Sequence, residues 1–128
     1  MSTERKTIDA DGAPAAIGPY SHAVATGGLL FCSGQIPLDP ESGELVGKTA
    51  QEQATQCLRN LEAVCDAAGT SLASAVRLTV FTTQMNRFAE INEAYAEFFA
   101  DDPPARAVVG VAALPKAATV EIDAIVAL

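Results

Sequence analysis

Apolar and polar residues alternate along this chain with a period that switches several times, and each switch marks an element. Thr7-Ile8-Asp9 predicts a short strand, and Asp11-Gly12-Ala13-Pro14 is turn chemistry. Residues 21–25 and 29–33 are short apolar-rich runs on either side of Thr26-Gly27-Gly28. Glycine takes positive φ without steric penalty, so this arrangement predicts a β-hairpin. Gly34-Gln35-Ile36-Pro37 ends its second strand, and residues 39–44 form an exposed turn. The period then becomes helical: Ala54, Leu58, Leu61, Cys65 and Ala68 recur at spacings of four and three. They make one apolar helix face. Thr49-Ala50-Gln51-Glu52 supplies a capping box at its start, and Gly69 closes its end. Residues 75–83 alternate again, with Val76, Leu78 and Val80 on one strand face. Phe88, Ile91, Tyr95 and Phe98 return to helical spacing, with Asn86 as the predicted N-cap and Asp101-Asp102-Pro103-Pro104 as the stop. Strands near 106–112 and 119–127 follow.

The predicted order is β-β-β-α-β-α-β-β, an α+β arrangement in one domain spanning residues 1–128, with no repeat, low-complexity segment or linker. Two helices can cover one face of such a sheet. Yet the strands near 76–81, 107–112 and 120–126 carry apolar residues on both faces. The uncovered face needs a partner, which predicts a homo-oligomer whose sheets pack together.

Charge narrows the function. The 128 residues carry 8 Lys or Arg against 16 Asp or Glu, a net charge of −8. Such a surface repels phosphate backbones, which disfavours nucleic-acid binding. No apolar stretch approaches the ~20 residues that span a bilayer, so no membrane role is expected. Residues 1–6 are polar, read as a frayed end, and lead into no apolar run, so no signal peptide is expected. Cys32, Cys57 and Cys65 form no Cys-x-x-Cys pair, consistent with reduced thiols in a cytoplasmic protein. With one histidine, a tetrahedral zinc site is not expected. Gly27-Gly28 is too short to cradle a phosphate.

Two residues stand out as candidate chemistry. Arg106 follows Pro103-Pro104-Ala105 at the mouth of a strand, and alternation puts it on one face with Val108 and Gly110. Its planar fork matches a carboxylate. The competing expectation is a surface pair with Asp101 or Asp102. Glu121, read as lying on the partner strand, shares a face with Asp123 and Ile125. It is either a solvated surface residue or a partly buried base, whose pKa burial would raise and a nearby arginine would lower. Tyr20 and Ser33 could donate hydrogen bonds to a small polar ligand. His22 reads as a structural histidine, and Ser33 lacks the partners of a serine nucleophile. Asn92 shares a stripe with Phe88, Tyr95 and Phe99. It either ties down backbone or reaches a pocket rim.

The set Ala13-Pro14-Ala15-Ala16-Ile17-Gly18-Pro19-Tyr20-Ser21, Ser33-Gly34-Gln35-Ile36-Pro37, Val80-Phe81, Ile91-Asn92-Glu93-Ala94-Tyr95, Pro104-Ala105-Arg106, Leu114-Pro115-Lys116 and Val120-Glu121-Ile122-Asp123-Ala124-Ile125 resembles the reactive intermediate/imine deaminase (RidA/YjgF) family. These stretches cover almost the whole chain in the family's order. The resemblance implies a chorismate-mutase-like fold. It also implies a homotrimer with a central β-barrel, helices outside and ligand pockets between subunits. It implies hydrolysis of 2-imino acids such as 2-aminoacrylate to 2-keto acids and ammonia, with no cofactor and no metal. Carried over residue by residue, Arg106 is the carboxylate-binding arginine and Glu121 the water-positioning glutamate. Tyr20, Ser33 and Asn92 match the family's pocket residues. Val108 stands where many members carry Cys, and only its backbone can contribute what the family has there. Gly110 stands where many carry Glu, and the loop before Pro103 is short. Both bear on substrate size. Rival readings are a non-catalytic carboxylate-binding or regulatory trimer, an endoribonuclease or translation inhibitor, and, from fold alone, a chorismate mutase. The acidic charge and the lack of a basic stripe argue against the ribonuclease.

Overall fold

The computed structural model describes residues 4–128. Six strands and two helices follow in the predicted order: β1 (Lys6–Ile8), β2 (Ala23–Thr26), β3 (Leu29–Gln35), α1 (Ala50–Ala67), β4 (Ala75–Thr82), α2 (Phe88–Phe98), β5 (Ala105–Gly110) and β6 (Val120–Ala127). The frayed end read for residues 1–6 lies in part outside the described residues. From residue 4 the chain is tied: the Thr26 hydroxyl donates to the Glu4 carbonyl, and β1 starts at Lys6.

Local chemistry sets the elements. The turn between β2 and β3 has Gly27 at φ 59° and Gly28 at φ 79°, the left-handed pair that a two-residue hairpin turn requires. At the start of α1 the Thr49 hydroxyl accepts from the Glu52 N–H at 3.1 Å. The Glu52 carboxylate accepts from the Thr49 N–H at 3.1 Å, completing the capping box. At its end Gly69, at φ 80°, lets the Gly69 and Thr70 N–H groups reach the Asp66 and Cys65 carbonyls. The second helix departs from expectation. Asn86 does not cap it: Met85–Arg87 forms a 3-10 turn that runs into α2, whose N-cap is Arg87 with no side-chain cap bond.

The strands form one sheet in the order β1-β2-β3-β6-β4-β5. Only β4 and β5 are parallel, joined by α2; the other neighbours are antiparallel. This corrects the expectation that the Arg106 and Glu121 strands are partners. β6 sits between β3 and β4, so β4 separates the two residues, with Leu78 beside Arg106 and Phe81 beside Glu121. Val76 is also displaced from its expected place with Leu78 and Val80. The β4–β6 register shifts between Ala75 and Arg77, which leaves Val76 exposed.

Both helices lie on one face of the sheet. Val120, Ile122, Ala124 and Val126 of β6 and Leu78 and Val80 of β4 pack beneath them with Leu58, Leu61, Val64 and Ile91. The alternate residues, among them Phe31, Thr79, Phe81, Val109, Glu121, Asp123 and Ile125, point to the other face, and no layer of the described residues covers it. Phe31 and Val109 there are 42% and 41% exposed.

Candidate active site

Arg106 stands near the start of β5 on the helix-covered face, and α2 provides its setting. Its Nη1 donates to Asn92 Oδ1 at 2.8 Å. Its guanidinium lies 4.8 Å from the Tyr95 ring centroid and 5.6 Å from that of Phe88. Positions 88, 92 and 95 fall on one helix face at spacings of four and three. One helix thus supplies two aromatic faces and one amide to a single arginine. The expected alternatives, Asp101 and Asp102, hold no hydrogen bond or ion pair to it. Asn92 does not tie down backbone: it is bonded to Arg106, and the two reach the rim of a cleft that Tyr95, Phe99, Pro103 and Pro104 also line. Phe88 and Tyr95 were legible in the sequence only as apolar stripe residues. They lie 18 and 11 residues before Arg106 in the chain, which gave no signal of a shared cation. Arg106 also lines a second, open cleft with Met85, Phe88 and half-buried Val108.

The Tyr95 hydroxyl is buried with no hydrogen-bond partner. Burial pushes its pKa up, against the opposing influence of the Arg106 charge. The ring, tilted 42° against Phe99 with 4.6 Å between centroids, is the part of this residue that meets the arginine.

Glu121, Tyr20 and Ser33 meet in a different place. With Ile17, Gly34, Ile36 and Pro115 they line a cavity of about 270 Å³. The bulge between Cys32 and Gln35 in β3 turns Gly34 toward β6. The Glu121 carboxylate lies against the Gly34 Cα so closely that a Cβ there would overlap Oε2 and stand 3.0 Å from Cδ. Here the glycine is required by close approach. Burial raises the Glu121 pKa above the usual carboxylate range, and the Asp123 charge adds to the rise. The Tyr20 hydroxyl accepts from the Ile17 N–H at 3.3 Å, which leaves its own proton free to donate. Ser33 differs from expectation: its hydroxyl already donates to the Ser21 carbonyl at 2.6 Å, so toward a ligand it can accept.

Residues outside the predicted pocket set support this cavity, and His22, expected to be structural, is one of them. His22 is buried; its Nδ1 accepts from the Ala10 N–H and its Nε2 donates to the Pro14 carbonyl, both at 2.8 Å. The ring thereby anchors the 10–20 loop that carries Ile17 and Tyr20. From α1, buried Asn60 donates to the Ile36 and Leu38 carbonyls. Gln53 accepts from the Thr119 N–H and hydroxyl at 2.8 Å. These bonds fix the segments carrying Ile36 and the start of β6. Apolar periodicity cannot reveal such residues, because they occupy buried helix positions yet are polar.

Within one chain the two constellations remain apart. Arg106 faces the helices and Glu121 the open side of the sheet, and the pockets around Arg106 do not include Glu121. The cysteines play no part in either. The Cys57 thiol is pushed up by burial, and that of Cys32 by its hydrogen bond to Cys65 and by burial. Among the described residues no helix is long and apolar enough to cross a membrane.

A six-stranded mixed sheet with two helices on one face makes this an α+β protein, with an arginine held by α2 on one side of the sheet and a half-buried carboxylate on the other. The comparisons give the family. Residues 10–128 match the family model described as Endoribonuclease L-PSP. The RutC family protein y4sK of Sinorhizobium fredii is 51% identical over 121 residues, covering 94% of this chain and 96% of that protein. The 2-iminobutanoate/2-iminopropanoate deaminase of Mus musculus is 47% identical over 121 residues, covering 94% and 90%. The crystal structure of RidA from an Antarctic Psychrobacter superposes with a TM-score of 0.92 at 44% identity, covering 96% of this chain and 99% of that one. The chain belongs to this family, the RidA/YjgF proteins.

Proposed function

We propose that this protein is a hydrolase of 2-imino and enamino acids such as 2-aminoacrylate, working as a homotrimer whose active sites lie between subunits. The observation that carries the reading is that each half of the site is built but incomplete. The chain offers a carboxylate clamp on one face and a water-handling carboxylate on the other, and a second copy can bring them together. The bare apolar face that includes Phe31 and Val109 supports such packing. Relatives named as 2-iminobutanoate/2-iminopropanoate deaminases support the reaction, whereas others carry only a family name.

The chemistry asks little of a site. An imine carbon is electrophilic without metal or covalent help. Arg106 holds the substrate carboxylate through charge-assisted hydrogen bonds worth ~1.5–3 kcal/mol each. Glu121, ionised, takes a proton from a water as its oxygen attacks C2, and returns a proton to the nitrogen. As the resulting carbinolamine collapses, its hydroxyl proton passes to the departing nitrogen and the C–N bond breaks, giving the 2-keto acid and ammonia. Tyr20, with its proton free, steadies the developing polar intermediate. Ser33 accepts a hydrogen bond at the cavity wall.

The test joins function and assembly. An amino-acid oxidase generates imines, semicarbazide competes for them, and suppression of semicarbazone formation reports hydrolysis. Arg106→Ala and Glu121→Gln are expected to be inactive separately. Unfolded together and refolded, they form mixed trimers, some of whose interfaces carry one intact Arg106 and one intact Glu121. Recovered activity is the expected result; none after mixing, with trimers formed, contradicts a shared site.

A further inference from the structure

We infer that α1 sets the width of the Glu121 cavity, and that Gln53 and Asn60 are a pair of positioning residues for the carboxylate within it. The inference rests on the deaminase reading for the rates it predicts, and on the hydrogen bonds of this chain for the geometry.

The cavity opens between two segments at one end of the sheet. Ile36 follows β3, which carries Ser33 and Gly34, and Pro115 precedes β6, which carries Glu121. Little apolar packing joins these segments. Ile36, Leu38 and Ala118 form a small cluster of their own, apart from the main core, with Leu114 against it. Apolar contact has no direction, so a cluster of this size fixes the spacing of the walls only loosely. Hydrogen bonds do have direction, and they come from α1.

Gln53 and Asn60 stand seven residues apart on α1, two turns or ~10 Å along one helix face. They are 4% and 1% exposed. Asn60 acts on the β3 side as a donor. Its Nδ2 reaches the Ile36 carbonyl at 3.2 Å and the Leu38 carbonyl at 3.0 Å. Its Oδ1 accepts from Gln56 Nε2 at 3.0 Å, which keeps the amide nitrogen turned toward those carbonyls. Gln53 acts on the β6 side as an acceptor. Its Oε1 takes the Thr119 N–H and the Thr119 hydroxyl, both at 2.8 Å, while its Nε2 donates to the Gly47 carbonyl at 3.2 Å. The Thr119 carbonyl accepts in turn from the Thr82 hydroxyl at 2.8 Å and the Thr83 N–H at 3.1 Å. Thr119 is thus held from α1 and from the end of β4, two residues before Glu121. One helix spans both walls. Losing either amide frees one wall, admits water and lets the carboxylate drift from its seat against Gly34. Because both amides fix one spacing, the second loss adds little to the first.

The experiment uses variants of the intact protein. Gln53→Met and Asn60→Leu keep the size and lose the hydrogen bonds, whereas Val64→Ala weakens the same helix in the main core. Each amide variant is expected to lower kcat for imine hydrolysis about tenfold, with KM within about twofold. The double variant should fall well short of the roughly hundredfold loss that independent effects would give. Thr119→Val drops one of the two bonds to Gln53 and should give a smaller loss of the same kind. At pH 8 Gln53→Glu keeps the acceptor and should recover most of the rate. Asn60→Asp offers the Ile36 and Leu38 carbonyls no donor and should not. A 13C NMR titration of Glu121, its signal assigned with Glu121→Gln, needs no turnover. Its midpoint should fall toward the ordinary carboxylate range in Gln53→Met and Asn60→Leu, as water enters, and hold in Val64→Ala. Asp123, Cys57 and Tyr20, the other ionisable groups around Glu121, are the same in all three. An unchanged kcat and midpoint in both amide variants, or an equal fall in Val64→Ala, overturns the inference. Shifted midpoints without any imine turnover by the wild type keep the positioning pair and overturn the deaminase reading instead.

Discussion

The two halves of the site are held in different ways. Arg106 lies on the edge strand β5, is exposed, and takes its orientation from side chains of a single helix: Phe88, Asn92 and Tyr95. Glu121 lies on the central strand β6, is half-buried, and is positioned mostly by backbone. Gly34 sits against its carboxylate, and the strand start is fixed by Gln53 at Thr119. An arginine can be aimed by soft contacts because its charge never changes and its fork reaches far. A base needs burial to tune its proton affinity, and burial comes only from close packing. The arginine half should therefore tolerate changes to its neighbours better than the glutamate half does.

The largest effects break either half outright. Arg106→Ala is expected to lower kcat/KM by about 10²–10⁴, from two lost charge-assisted bonds, with the thermal transition unchanged because the residue is exposed. Arg106→Lys keeps the charge, loses the fork, and should lose most of the activity too. Turnover of 2-aminoacrylate unaffected by Arg106→Ala would refute its role.

Glu121→Gln should lower kcat by about 10²–10⁴ with KM nearly kept. It also carries a signature that the arginine cannot. The fold holds a proton on Glu121 more tightly than the unfolded chain does. Its contribution to stability is thus fully present below the usual carboxylate pKa and is lost as pH rises through the raised folded value. The glutamine variant should accordingly match the wild type in urea at pH 4 and exceed it at pH 7. Activity of the wild type should fall on acidification with a midpoint above the ordinary carboxylate range. A stability gap that widens toward acid would contradict a raised pKa.

Next is the contrast between the supports. Gly34→Ala puts a methyl group where the Glu121 carboxylate lies, and a displacement of ~1 Å can cost ~10² in rate. On the other half, Tyr95→Phe keeps the ring under Arg106 and removes a buried hydroxyl without a partner. KM should hold, and stability should rise by about 1 kcal/mol. Tyr95→Leu removes the ring and should raise KM several-fold, as a lost cation–π contact does. Equal kinetic damage from Gly34→Ala and Tyr95→Phe would erase the distinction drawn between the halves. The smallest effect concerns the turn leading to β6, where Lys116 and Ala117 both adopt left-handed φ, 56° and 59°. Ala117→Gly should stabilise the fold by about 0.5–1 kcal/mol, relief of strain less glycine's entropy, measured by denaturant midpoint.

Much of this was legible from residues alone. The hairpin at Gly27-Gly28, the capping box at Thr49 and the glycine end of α1 rest on chemistry within a few residues of chain, and they stand where expected. The alternation of β6 correctly put Glu121, Asp123 and Ile125 together. The family motifs marked Arg106 and Glu121. Asn86 failed as a cap because a 3-10 turn took its place, a choice made by how the chain leaves β4.

What the amino-acid sequence determined by itself was therefore the main elements, the face most residues take within their own strand, and Arg106 and Glu121 as the candidate pair. These follow from backbone sterics and from periods of 2 and 3.6 residues, which act locally. Only the tertiary structure decided that β6 enters between β3 and β4, that Arg106 and Glu121 face opposite sides of the sheet, and that one helix grips the arginine while a glycine lies against the Glu121 carboxylate. Strand order and register arise from packing between residues far apart in the chain. Alternation within one strand carries no information about which face its neighbour's residues will share.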